Sequence, residues 1–562
     1  MSGKTKKDIL TSALKVWVLG VVVTVMCAFP LAAEQPAPAG QSQPHMSRQR
    51  VFTFGHPVFE QIEAAYRDAG MVLPEAIAPA TGSQLQFFLD ELDSAQLSFA
   101  GQKAAREAQR LLDEWEGFGP VLAEPEAGLA VQFAPRVNLE YRYDSSSPDL
   151  PLLDAPLDFF QLEPRIAMGP FYAETEVIIR QDPNYDWLVP DALTNIPASI
   201  EYADFNFPRR AYLGTGGDRW AFQLGRDKLA WGTSYSGSLT YSGEADYLDQ
   251  ARFSAVFRRF SYSGVFIRLE PYLRSGEYPT TGDYVPPFFL TDDGGPFLSA
   301  EEHYRVWRKS VVTHRFTFRP TDRLRLSLME STGIGGYEPD LRMFNPFMVL
   351  HNHFDFTLMT FATSIDFACT PIRGLEIYGQ WYMNDFLLGA EAAAGSTEPN
   401  AMAWLGGLNY QLPLAQTGAF IRAGTEVYFG DPYVYIRESV LRSFIYRQRV
   451  HTGWNGSEPA LGIINWKDGF LGSPFGNDSA AAIVYIRLQK LPLGSLGLEV
   501  LHHQDGVLGP ADILTPGPEA VAASSPTGIA EYQTRVSLSG SLSSEGIPAV
   551  HAALNKLSRG MT

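Results

Sequence analysis

His351 and His353, in the run His351-Asn352-His353-Phe354-Asp355, would point the same way from an extended chain and could fill two positions of a metal shell. No third ligand can be picked out, so neither a metal nor another cofactor is expected. No His-Glu-x-x-His, Gly-x-Ser-x-Gly or Walker-type run occurs. The glycine runs Gly214-Thr215-Gly216-Gly217 and Gly333-Ile334-Gly335-Gly336 lack the strand-to-helix setting that cradles a phosphate. Carboxylates are plentiful, but no pair stands out for acid/base work on a glycosidic bond. The chain therefore reads as a protein that is not an enzyme.

Binding residues are easier to nominate. Arg437, Arg442, Arg447 and Arg449 interleave with Tyr433, Tyr435, Phe444 and Tyr446. In an acidic chain such a stretch could present a local cationic surface to an anionic polysaccharide. The alternative is a lumenal strand or an inward-folded loop whose arginines pair with acidic neighbours. Trp454, Trp466 and Asp468 follow in a Gly-rich stretch that reads as a long exposed loop. Trp231 could stack on a sugar ring or sit at a membrane interface, and the interface is the ordinary place for tryptophan.

These residues need a scaffold, and the first segment says where it is built. Lys4, Lys6, Lys7 and Lys15 surround the start of an apolar run at 16–29, which ends in Pro30-Leu31-Ala32-Ala33. That is the pattern of a secretory signal peptide over 1–33. Cys27 lacks the small residue before it that a lipoprotein site would need. The first 33 residues carry four lysines and one aspartate, so their removal takes the formal charge from −18 to −21. Such acidity, with no basic stripe, excludes nucleic acid as a partner. Cys369 is then the one cysteine left, which rules out an intrachain disulfide.

Residues 34–54 are rich in Pro, Ala, Gln and Ser and read as a linker. From 55 to 120 the period is helical: Phe59, Ile62, Ala65 and Tyr66 share a face that Gly70 would end. Leu85, Phe88, Leu89 and Leu92 mark a second helix, and Ala104, Ala108, Leu111, Leu112 and Trp115 a third. A helical domain this small has a marginal core and should pack against something else.

Past Gly128 the period becomes two. Val137, Leu139 and Tyr141 alternate with Asn138, Glu140 and Arg142, and Leu324, Leu326 and Leu328 with Arg325 and Ser327. Ile421, Ala423, Thr425 and Val427 alternate with Arg422 and Glu426, and Thr534, Val536 and Leu538 with Arg535 and Ser537. A soluble sandwich or propeller could use this pattern. A membrane barrel fits better, because the runs are long enough to cross a bilayer when tilted and their second face carries Arg, Glu and Gln. The expected fold is all-β: a large antiparallel transmembrane barrel of about 16–18 strands over 128–545. An even-stranded barrel would leave the helical domain and the tail 546–562 in the periplasm.

Several segments resemble the Wzi-like capsule assembly family of outer-membrane proteins. They are Gly225-Arg226-Asp227-Lys228-Leu229-Ala230-Trp231-Gly232, then Glu330-Ser331 with Gly335-Gly336 and Asn345-Pro346. Leu375-Glu376-Ile377-Tyr378-Gly379 with Asn384-Asp385-Phe386 follows, and last Leu471-Gly472-Ser473-Pro474-Phe475-Gly476-Asn477-Asp478. The resemblance implies an outer-membrane barrel with a small periplasmic helical part, holding surface or capsular polysaccharide as a lectin. Lipid would surround it, and the barrel-assembly machinery and periplasmic chaperones would serve its biogenesis. The alternative is a passive diffusion channel for small polar solutes. On physical grounds Gly232 and Gly237 relax the chain at a turn. Arg226 and Asp227, on opposite faces of a strand, belong at the barrel rim. Glu330 would brace the barrel by pairing with a lumenal arginine.

Overall fold

The computed structural model describes residues 48–113, 121–124, 129–137, 159–181, 203–204, 208–245, 248–273, 277, 308–336, 338–348, 359–385, 399–414, 417–451, 464–490, 494–515 and 517–542. The expected signal peptide and tail lie outside them, as do His351, His353 and Trp454.

Three helices come first. α1, Pro57–Ala69, starts where the His56 side chain accepts from the Val58 N–H and Pro57 needs no donor partner. It ends at Gly70, whose φ of 73° permits the left-handed cap. α2, Gly82–Asp90, opens with a capping box in which Thr81 and Gln84 exchange backbone bonds. α3, Phe99–Asp113, lies along α1. Their shared core holds Phe52, Val58, Ile62, Tyr66, Leu85, Phe88 and Leu111, and Val256 of the barrel wall joins it. Val51–Phe52, inside the expected linker, forms a short strand that pairs with Ala80–Thr81.

Most of the remaining described residues form one large antiparallel sheet of 19 strands. Val177–Gln181 continues Phe171–Thr175 along the same neighbour, and Ala203–Asp204 likewise continues Ala211–Gly216. The wall thus has 17 strands among the described residues, inside the expected range. From Ala211–Gly216 to Glu531–Leu542, wall strands pair antiparallel in chain order, as Lys309–Thr321 does with Leu324–Gly335. Phe171–Thr175 pairs with Ala211–Gly216, and Glu531–Leu542 lies beside Val121–Glu124.

The alternation assigns the two faces. Leu326 and Leu328, Leu408 and Leu412, Val484, Ile486 and Leu488, and Val536 and Leu538 point outward and are exposed. The other face turns Gln223, Arg252, Arg315, Arg325, Asp366, Gln380 and Glu426 into a buried interior. An apolar exterior around a polar lumen is the surface of a membrane barrel. No described helix is long and apolar enough to cross a membrane.

Candidate functional site

The lumen is filled from both ends. At the end of the short turns, the helices sit in the mouth: the Val72 N–H donates to Asp322 O at 2.8 Å and the Gly374 N–H to Arg67 O at 2.9 Å. Buried arginines of the wall grip acids of the helical part. Arg315 donates to Glu75 at 3.0 Å and to Asp366, and Arg319 to Glu91 at 2.7 Å. The direction reverses at Arg67, a plug residue that reaches Glu376 of the wall at 3.0 Å and Glu63 of its own helix at 3.3 Å. Burial opposes the charge of Arg67, but these two carboxylates outweigh it and raise its pKa above the ordinary range.

From the end of the long connections, segment 228–245 folds inward. Ala230–Trp231 pairs with Tyr241–Ser242 on one side and with Ile77–Ala78 of the plug on the other. Residues 235–241 touch five strands of the wall. Tyr241 shares a hydrogen bond with Thr313 at 2.6 Å, and Thr240 with Ser364 at 2.8 Å. The Leu239 N–H donates to Gln380 at 2.8 Å, and the Tyr235 and Ser236 N–H groups donate to Glu426 at 2.7 and 2.9 Å. The Tyr235 hydroxyl donates to Glu499 at 2.7 Å. Burial and Glu499 together push the Tyr235 pKa up.

Between the two layers lies a cavity of about 480 Å³. Glu60 meets both Arg422 (3.1 Å) and Arg487 (3.3 Å) there, and the Tyr235 and Tyr485 rings stack in parallel with centroids 3.9 Å apart. Glu60, Arg422 and Arg487 are engaged with each other, so the geometry resembles a brace more than an acid/base pair. No group of three or more His, Cys, Asp or Glu side chains able to hold a metal occurs among the described residues.

The nominated residues fall in several places. Trp231 is fully buried in the lumen, edge-on to Tyr241 at 5.3 Å. The expectation of an interfacial tryptophan is thereby corrected: inward folding of its loop takes it away from the membrane, and its ring is packed. Arg437 donates to Asp385 and also meets Glu438 at 3.3 Å, while Arg442 meets Glu438 at 2.9 Å. Arg447 is clamped between Asp468 (2.7 and 2.8 Å) and Glu277 (2.7 and 2.8 Å), which hold its pKa up despite burial. These pairs match the alternative in which acidic neighbours hold the arginines. The expected long loop is corrected in part: Trp466 and Asp468 lie in the strand Ile464–Phe470, which forms because it pairs with Ile445–His451. Arg449 and Trp466 face each other in the hairpin Ile445–His451 with Ile464–Phe470; their side chains lie outside the described residues.

The motif residues serve as joints. Gly225 has φ 142°, and a Cβ there would come within 2.2 Å of Ala211 O. Arg226 forms a two-pronged pair with Asp249 at 2.8 Å on the outer face, whereas Asp227 turns inward to accept from Thr53 at 2.8 Å. Gly232, with φ 115°, donates its N–H to Ala76 O at 2.8 Å. The Asn384 side chain accepts from the Tyr435 N–H at 3.2 Å, fixing a buried residue with φ 72°. A Cβ on Gly472 would lie 2.2 Å from Leu239 O, and Gly476 has φ 72°. Asp478 accepts from the Leu508 N–H (3.2 Å), Ser525 (3.2 Å) and Thr527 N–H (2.8 Å), tying down the loop before the last strand. Asn345 and Pro346 form a turn on the outside of the barrel, where Asn345 accepts from the Phe347 N–H at 3.1 Å. Glu330 corrects its expected role. It shares the outward face with Leu326 and Leu328 and lies opposite His314, not a lumenal arginine. Glu426 was visible in the sequence only as one polar position of its strand, Gln380 had the same inward parity without being named, and Glu75, in the connection before Ile77–Ala78, gave no periodic signal.

No family model and no curated protein matches the chain. Among solved structures it is similar to Wzi of Escherichia coli, described as an outer membrane protein involved in group 1 capsule assembly and a carbohydrate-binding beta-barrel. That similarity has 12% identity and TM-score 0.48, covering 82% of this chain and 88% of that one. The outer membrane channel DcaP of Acinetobacter baumannii is similar at 10% identity and TM-score 0.33, over 76% and 99% of the two chains. OccD3 of Pseudomonas aeruginosa is similar at 9% identity and TM-score 0.28, over 74% and 82%. At these identities and scores the similarities assign the chain to no family.

Proposed function

We propose that this chain is an outer-membrane barrel that binds or anchors surface polysaccharide without catalysis. The observation that carries the reading is the lumen, crossed by a loop that touches five wall strands and stoppered by helices held through buried ion pairs. A diffusion channel needs a continuous aqueous path; a filled barrel instead offers a rigid face. Short turns mark the periplasmic end of such barrels and long connections the outer end. On that assignment the helical part faces the periplasm, and the hairpin Ile445–His451 with Ile464–Phe470 faces the cell exterior. The motif resemblance to capsule assembly proteins supports a polymer as the ligand met there.

Two measurements test it. Intact cells displaying the protein should retain surface polysaccharide of the host in a pull-down, with loss on truncating residues 452–463. Retention by no native polysaccharide would overturn the lectin reading. In planar bilayers the protein should conduct little; large steady conductance would favour the channel instead.

A further inference from the structure

The outer face between strands Lys309–Thr321 and Leu324–Gly335 breaks the apolar pattern. Leu324, Leu326 and Leu328 continue outward as Glu330 and Thr332 before Ile334, and Phe318 and Phe316 as His314, Val312 and Ser310. The apolar band of a membrane barrel is about 25 Å tall. At about 3.3 Å per residue and a tilt near 40°, the span from Leu324 to Leu328 covers only about 10 Å of it. Glu330, Thr332 and His314 therefore stand at a depth where lipid is expected.

Segment 340–348 covers them from outside. The His314 ring is 2.7 Å from Met343 O, and Met343 is buried among the outward residues Val312, Ile334 and Met359. Phe344 lies edge-on to Phe266 with centroids 5.9 Å apart, and the Phe347 ring approaches Phe316 at 6.5 Å. Turns within the segment pair part of its backbone: Met343 N–H donates to Asp340 O (2.9 Å), Asn345 N–H to Arg342 O (3.1 Å) and Met348 N–H to Asn345 O (3.1 Å), while the Arg342 and Phe347 N–H groups donate to the Asp340 and Asn345 side chains (2.8 and 3.1 Å). Non-helical backbone at membrane depth is tolerated where it lies against protein, as Met343 does against the wall here. Its far side exposes Leu341 (84%) and Phe347 (88%), and it also carries the Asp340–Arg342 ion pair (2.8 Å), whose long arginine stem can turn the paired charges to the headgroup level.

We propose that segment 340–348 is a strap immersed in the outer half of the bilayer, with lipid acyl chains packed against Leu341, Phe344 and Phe347. Continuity with the exposed band of Phe318, Leu326, Leu328, Ile365 and Phe367 identifies the occupant. The strap covers the polar window of His314, Glu330 and Thr332 with Met343 and the Phe344 and Phe347 rings, and the inference rests on the membrane fold alone, not on polysaccharide binding.

The test uses spin labels at Phe347→Cys and, separately, Leu341→Cys in a Cys369→Ser background, reconstituted in phosphatidylcholine nanodiscs. Leu328→Cys supplies the lipid reference and Val507→Cys the water reference. Heat-modifiable gel migration first confirms that each variant folds, and two strap positions guard against failure of one. Oxygen should relax the strap labels more than a water-soluble nickel complex does, as at Leu328. Nickel relaxation equal to that at Val507 would overturn the strap. So would exclusion of both reagents, or spin–spin broadening from a second copy, since either places protein there instead of lipid.

Discussion

Replacing Arg315 with leucine is the sharpest test of how the plug is held. Its guanidinium is fully buried and donates to Glu75 (3.0 Å), Ser327 (2.9 Å) and Asp366, with Arg325 3.8 Å from the same Asp366. Two arginines thus balance two carboxylates. Leucine leaves one negative charge in excess in the interior, and breaking a buried pair this way costs about 3–5 kcal/mol. The cost falls on the closed state, because release of segment 72–78 returns Glu75 to water. Hydrogen exchange of the amides joining Ile77–Ala78 to Ala230–Trp231 should therefore quicken on the order of 10²–10³-fold. Exchange mass spectrometry in detergent micelles reads this directly, with gel migration confirming an intact wall. The double variant Arg315→Leu/Glu75→Leu leaves Arg325 with Asp366 as a balanced pair and should recover most of the protection. Unchanged exchange in the single variant, or no recovery in the double, would refute the ion-pair account.

Three further outcomes are expected. Glu426→Ala removes the acceptor of the Tyr235 and Ser236 amides and of the Tyr378 hydroxyl, so the crossing loop should loosen and conductance in planar bilayers should rise above wild type. Asp478→Ala deletes the carboxylate that gathers Leu508, Ser525 and Thr527, and limited proteolysis should then cut within 506–528 while the wall stays intact. Burial pushes the Asp431 carboxyl above its usual range. The folded state therefore holds that proton more tightly than the unfolded one, and stability falls as pH rises through the unfolded and then the folded pKa. Asp431→Asn should flatten that slope when the loss of the compact gel band on heating is compared across acidic pH.

Much of this barrel was legible residue by residue. A strand alternates its side chains whatever it pairs with, so Leu324, Leu326 and Leu328 against Arg325 and Ser327 already separated a greasy face from a polar one. Helix ends were equally local: Gly70 adopts the left-handed cap because glycine pays no steric penalty there. Even the outward aim of Glu330 was present in its parity with Leu328, which the expected lumenal pairing overlooked.

The contents of the lumen were decided only by the tertiary structure. Trp231 sits at the centre because its backbone pairs with Ile77, 154 positions earlier in the chain, and Arg67 meets Glu376 across a separation of 309. No local pattern records such partners. A polar residue at an inward parity reads the same whether it faces water, a ligand or the acid of a distant helix, so a filled barrel and an open one share one alternating sequence until the chain closes on itself.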